Sequence, residues 1–141
     1  LVREQIRIAA DVPLSFAQED VTFTGHAIEC RINAEHPKTF MPTPGKVTAF
    51  HAAGGPGVRV ESCLYSGYSV PPYYDSLVAK LITHGDDRDH CLARLRRALQ
   101  EFIVEPIPTT LALHKHLVDA DAIKDGSYNI RWLEEIFLNK D

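Results

Sequence analysis

The strongest constraint on this chain is a change of side-chain period partway along it. From His26 to Asn33 residues alternate, with Ile28, Cys30 and Ile32 pointing one way and Glu29, Arg31 and Asn33 the other. A period of two predicts a half-buried strand, and Val21-Thr-Phe-Thr with Gly25 leads into it. From Asp86 the period becomes helical. Leu92, Leu95, Leu99 and Phe102 form one apolar stripe, Asp86 and Asp87 can cap its start, and it must end before Pro106. A second helix is predicted from Thr109 or Thr110 with Leu113, Leu117 and Val118. A last one is predicted from about Ser127 with Ile130, Leu133, Ile136 and Phe137. Strands first and helices later, concentrated in the C-terminal third, predict an α+β fold.

The middle of the chain reads as further sheet. Pro37 to Gly45 is turn chemistry. Val47–Ala52 and Val58–Cys63 are strand candidates around Gly54-Gly55-Pro56-Gly57, so a hairpin with a longer loop is expected. Tyr65–Tyr68 and Val70–Ser76 read as a loop with aromatic anchors. Leu77–Ile82 fits a short helix or a buried strand equally well. No repeat, low-complexity segment or linker interrupts the chain, and residues 1–141 are read as one domain.

Composition bounds the function. The chain has 141 residues, 45% hydrophobic, and a domain of this length buries roughly two-thirds of its unfolded surface without staples. With 19 acidic against 15 basic residues, net charge −4, it has no Lys/Arg surplus for a nucleic-acid footprint. No apolar run approaches the ~20 residues of a membrane span. Three cysteines, Cys30, Cys63 and Cys91, fit neither a disulfide framework nor a zinc pair, so a reducing, cytoplasmic setting is expected. The chain does not start with Met, and Val2, Ile6 and Ala9 open a helical pattern with no capping residue before it. Residues 1–10 are therefore expected to continue a helix from a longer protein.

Chemical signatures are sparse. Gly54–Gly57 lacks the Lys-Ser/Thr of a Walker loop and leads into a strand, so a loop is preferred to a phosphate cradle. His114 and His116 are two apart on a helix and diverge, while His26 and Cys30 share a strand face without a third ligand. Arg94, Arg96 and Arg97 read as a solvated helix side. Arg59 and Glu61, two apart on a strand, emerge on one face about 7 Å apart. This arrangement suits either a sheet-surface ion pair or an arginine oriented by a glutamate to meet a carboxylate or oxyanion.

Several blocks carry a family resemblance. Gly25-His26-Ala27-Ile28-Glu29-Cys30-Arg31-Ile32-Asn33-Ala34-Glu35 is similar to the opening of the C-terminal domain of biotin carboxylase. Phe40–Lys46, Gly54–Ser62 and Tyr65–Lys80 follow in the family's order and spacing. Arg94–Glu101 resembles the next helix, and Arg3–Ala10 the helix leading in. The core motifs span residues 21–105.

The resemblance implies a small antiparallel sheet with flanking helices and makes Leu77–Ile82 a strand. It implies the C-terminal part of an ATP-grasp ligase that uses ATP, Mg2+ or Mn2+ and bicarbonate to carboxylate biotin on a carrier protein. Acetyl-CoA carboxylase, with its role in fatty acid and lipid biosynthesis, is the expected parent, because the chain stops at Asp141. A fused acyl-CoA or pyruvate carboxylase, with this region as a dimerisation module, is the alternative. Arg59 is implied to contact bicarbonate and the biotin ureido oxygen, with Glu61 holding its guanidinium. ATP and metal are implied to bind upstream, so no cofactor or metal ligand is assigned here, and Glu35-His36-Pro37 is given no catalytic role. The implied partners are the biotin carboxyl carrier protein, carboxyltransferase subunits and a second copy, the dimer forming through Leu77–Ile82 and the Asp86–Phe102 helix.

Overall fold

A computed structural model describes residues 1–137, with side chains through residue 135. Strand β1 (His26–Asn33) follows the alternation, with Cys30 and Ile32 buried and Glu29 and Arg31 exposed. It starts at Gly25, whose φ is 71° and where a Cβ would collide with the Gly85 carbonyl. Val21–Thr24 therefore stay outside the ladder, and Phe23 is 98% exposed.

The main sheet has the order β1-β6-β4, with β6 (Leu77–Gly85) pairing antiparallel to β1 on one edge and to β4 (Val58–Ser62) on the other. The segment left open between helix and strand is thus the central strand. Val78, Ala79, Leu81 and Thr83 are all buried, which is why its apolar run does not alternate cleanly.

Helix α2 (Arg88–Glu101) packs on β6 and β1 and buries Cys91, Leu92, Leu95, Ala98 and Leu99. Of the two expected caps Asp87 takes the role, accepting from the His90 amide at 2.8 Å. Phe102 ends the helix in extended backbone and meets Phe50 edge-on, ring centroids 6.0 Å apart.

The expected hairpin around Gly54–Gly57 does not form. Val47 turns fully into the core and splits its segment into β2 (Gly45–Lys46) and β3 (Ala49–His51). At this kink the Val47 amide donates to the Tyr68 carbonyl and the Thr48 amide to that of Glu105. Strand β2 pairs with β5 (Ser69–Val70), and β3 with β7 (Ile103–Glu105). The result is three small antiparallel sheets with flanking helices, an α+β fold as expected.

Helix α3 (Leu111–Leu117) starts where predicted and buries Leu111 and Leu113. The predicted last helix does not start at Ser127. A short helix, α4 (Asp121–Asp125), ends instead at Gly126 with φ 78°. Beyond it, Asp125 and Asn129 accept from the amides of Ser127 and Arg131, a local alternative to helical bonding. Helical backbone resumes as a π-turn over Leu133–Phe137, and Ile130 is 99% exposed rather than on a buried stripe. The side chains of Ile136 and Phe137 lie outside the described ones. Helix α1 (Val2–Ala9) has no side-chain cap and buries no residue.

Candidate functional site

The face of the main sheet opposite α2 collects the charges. Register aligns Glu29, Ile82 and Arg59 in one row across β1, β6 and β4, and Arg31, Lys80 and Glu61 in the next. Alternation sends these side chains outward together. Acid and base thus alternate along each edge strand, and the two edges carry opposite charges in each row, with Ile82 or Lys80 between them.

The predicted pair is in place, with Arg59 Nη2 3.3 Å from Glu61 Oε1. Their side chains are 69% and 54% exposed, so the pair contributes about 0–1 kcal/mol to stability. A further residue on this face, Arg31, is not among the expected site residues. Its guanidinium has no hydrogen bond or ion pair among the described residues, and it stands beside Lys80 in the adjoining row. The signal was present: Glu29 and Arg31 share the two-residue spacing of Arg59 and Glu61, with the charges reversed.

The backbone beneath Arg31 is held firmly. Its carbonyl accepts from Thr110 Oγ1 at 3.1 Å and from His114 Nε2 at 2.9 Å. Thr110 Oγ1 also accepts from the Asn33 amide at 2.9 Å, so its hydroxyl serves β1 instead of capping α3. The otherwise open edge of β1 is thereby covered. Burial pulls the His114 ring below its ordinary pKa, partly opposed by the bond to the Arg31 carbonyl.

The remaining candidates have structural partners. Arg97 donates to the Gly54 carbonyl at 3.1 Å, and the Gly57 carbonyl accepts from the His84 amide at 2.9 Å, pinning the Gly-rich loop to α2 and β6. Arg94 donates to the His84 carbonyl, Arg96 pairs with Asp119 at 2.8 Å and Arg97 with Glu101 at 2.8 Å. The helix side expected to be merely solvated therefore ties neighbouring segments together. His26 Nε2 lies 3.0 Å from Arg88 Nη1, and Arg88 also donates to the Ile123 and Lys124 carbonyls. Cys30 is buried, its pKa raised to about 12 by desolvation, then by Cys91 and Glu29. Among the described residues no three His, Cys, Asp or Glu side chains gather as a metal site.

Comparison with known proteins places this architecture. The family model for the biotin carboxylase C-terminal domain matches residues 29–135. The biotin carboxylase of Pseudomonas aeruginosa is 62% identical over 135 residues, covering 96% of this chain and 30% of that protein. A pyruvate carboxylase component from Methanothermobacter thermautotrophicus is 46% identical over 136 residues, covering 96% and 28%. The biotin carboxylase domain dimer of the Hydrogenobacter thermophilus 2-oxoglutarate carboxylase, solved with MgADP, ADP and bicarbonate, superposes with a TM-score of 0.88. It is 42% identical, with 93% of this chain and 29% of that one covered. The chain thus spans about 30% of the length of such relatives. Sharing both their sequence blocks and their fold, it belongs to the biotin carboxylase C-terminal domain family.

Proposed function

We propose that this chain is the C-terminal part of an ATP-dependent biotin carboxylase, a ligase that carboxylates biotin on its carrier protein with bicarbonate. The outer face of the main sheet supplies positive charge to that reaction. The observation that carries the site is the two-row pattern of Arg59, Glu61, Arg31 and Lys80 on one exposed face. Deprotonation of the ureido nitrogen puts charge on its oxygen, and a preorganised guanidinium stabilises that charge as it develops. The motif context assigns this role to Arg59, with Glu61 fixing its orientation. A second reading gives it to Arg31, because its guanidinium has no partner among the described residues while Arg59 already meets a carboxylate.

ATP and Mg2+ or Mn2+ are assigned to upstream domains of the longer protein, as the family resemblance implies. Acetyl-CoA carboxylase is the proposed parent, with a cytoplasmic location, the biotin carboxyl carrier protein and carboxyltransferase subunits as partners, and a place in fatty acid synthesis. No described helix is long and apolar enough to cross a membrane. A fused pyruvate or acyl-CoA carboxylase is the alternative, supported by likeness to a complete multifunctional pyruvate carboxylase from Rhizobium etli, 32% identical with a TM-score of 0.82.

A homodimer through the Leu77–Ile82 strand and the exposed side of helix α2 completes the proposal, which leaves the charged outer face of the sheet open to biotin. The test is carboxylation of free biotin by the full-length protein. Dependence on both ATP and bicarbonate is expected, and a full-length protein that carboxylates no biotin refutes the reading.

A further inference from the structure

Strands β1 and β6 shift register between Ile32 and Asn33: Ile32 faces Ala79, but Asn33 faces Leu77. A shift of this kind interrupts the ladder, and the bond pattern must be completed by other groups. Three half-buried side chains do so here. Ser76 Oγ donates to Glu35 Oε1, and Asn33 Nδ2 lies 3.1 Å from the same oxygen and 3.0 Å from Ser76 Oγ. The Ala34 amide donates to the Ser76 carbonyl at 2.7 Å and closes the cluster onto the backbone. One carboxylate oxygen therefore joins the end of β1 to the start of β6.

The cluster connects two exposed features. On one side is Arg31, two residues before Asn33. On the other is the segment running into Ser76, where Tyr73 and Tyr74 are 86% and 81% exposed and Asp75 Oδ1 accepts from the Leu77 amide at 2.8 Å. Beside this segment lies a pocket of about 250 Å³ walled by Pro42, Pro44, Val70, Pro71 and Tyr74. Prolines stiffen its wall, and the Glu35 cluster, together with the Ala34–Ser76 backbone bond, ties the segment's end to the strand that carries Arg31.

We propose that Glu35 is a positioning residue: with Asn33 and Ser76 it sets the Tyr73–Asp75 segment against the Arg31 strand, and so fixes how the biotin ring approaches the charged face. The inference deepens the biotin carboxylase reading and rests on it. Glu35 touches no reacting atom and takes up no proton in this role. Misplacing a substrate by about 1 Å costs on the order of 10²-fold in rate.

The experiment uses the full-length enzyme and measures kcat/KM for free biotin beside KM for ATP. Glu35→Ala and Ser76→Ala are expected to lower kcat/KM for biotin about ten- to a hundredfold while KM for ATP stays unchanged. Glu35→Gln keeps an oxygen that accepts both bonds and is expected to stay within about threefold of wild type. Should Glu35→Ala fail to fold, Ser76→Ala carries the test, since it removes only the two bonds of the Ser76 hydroxyl and leaves the Asn33–Glu35 contact and the Ala34–Ser76 backbone bond. Wild-type kcat/KM in the folded variants overturns the inference, and so does a loss in Glu35→Gln equal to that in Glu35→Ala. Wild-type enzyme that carboxylates no biotin refutes instead the reading beneath it.

Discussion

The ring of His114 donates from Nε2 to the backbone carbonyl of Arg31 at 2.9 Å, joining a titratable group on α3 to the strand that carries the candidate site. Burial lowers the folded pKa of this ring from its ordinary 6.5. Below that value the unfolded chain binds the proton and the folded one resists it, so folding stability declines as pH drops. Above pH 6.5 the ring is neutral in both states and this dependence disappears. Urea unfolding of the chain is therefore expected to show a lower midpoint at pH 5.5 than at 7.5. His114→Gln should flatten that difference; an unchanged pH dependence in the variant would show that His114 is not its source.

The two arginines can be told apart by kinetics in the full-length enzyme. Arg59→Ala should leave folding and ATP binding nearly intact, because its ion pair is exposed. If Arg59 is the oxyanion donor, the loss in carboxylation is about 10²–10³-fold, roughly 3–4 kcal/mol. Arg59→Lys then recovers only part of it, and Glu61→Gln costs less than Arg59→Ala. If Arg31 is the donor, Arg31→Ala takes that loss and Arg59→Ala does not.

The sequence exposed some of this arrangement and concealed the rest for identifiable reasons. Leu92, Leu95 and Leu99 are local in period and so mark α2 directly, as Cys30 and Ile32 mark β1. Strand pairing is not local. Val47 and Val58 look like hairpin partners because they flank a Gly-rich loop, yet β3 beside Val47 pairs with residues 103–105 and β4 with residues 79–83, a choice made by the core. Arg59 and Glu61 were legible as neighbours because spacing alone puts them together. That Arg31 shares a row with Glu61 depends on β6 standing between β1 and β4, which no spacing within either segment reveals.

The isolated chain is expected neither to hydrolyse ATP nor to carboxylate free biotin. Its Gly-rich loop is bound through carbonyls to Arg97 and His84, and its described residues gather no metal carboxylates. Bicarbonate-dependent phosphate release by the purified chain, above that of a boiled control, would refute this.

Association is expected to run through the Leu77–Ile82 strand and the exposed side of helix α2. The full-length protein is expected to sediment as a dimer at micromolar concentration. Replacing Ala93 and Gln100, both exposed on α2, together by Glu sets like charges against one another and should weaken association by about tenfold or more. A parent that is monomeric, or a dimer indifferent to this double change, counts against the proposed surface.

Thiol chemistry offers an independent check of the core. Cys63 is exposed, whereas Cys30 and Cys91 are buried. With the Cys30 pKa raised to about 12, its thiolate is scarce at pH 8, and only Cys63 should react rapidly with iodoacetamide. Labelling of Cys30 or Cys91 should await opening of the fold, at a rate that rises with urea. Rapid alkylation of all three without denaturant would contradict the packing of α2 on β1.

The middle strand of the main sheet is the last of its three to be synthesised. Strands β1 and β4 both precede β6, and neither pairs with the other. A growing chain that has reached Ser62 thus holds two edges with no centre between them, and the helix that covers the sheet is still to come. Contacts of long sequence separation must then close together, which slows folding relative to locally paired topologies. The nascent domain stays open, and exposed to chaperones and proteases alike, until residues 77–101 are available to close it.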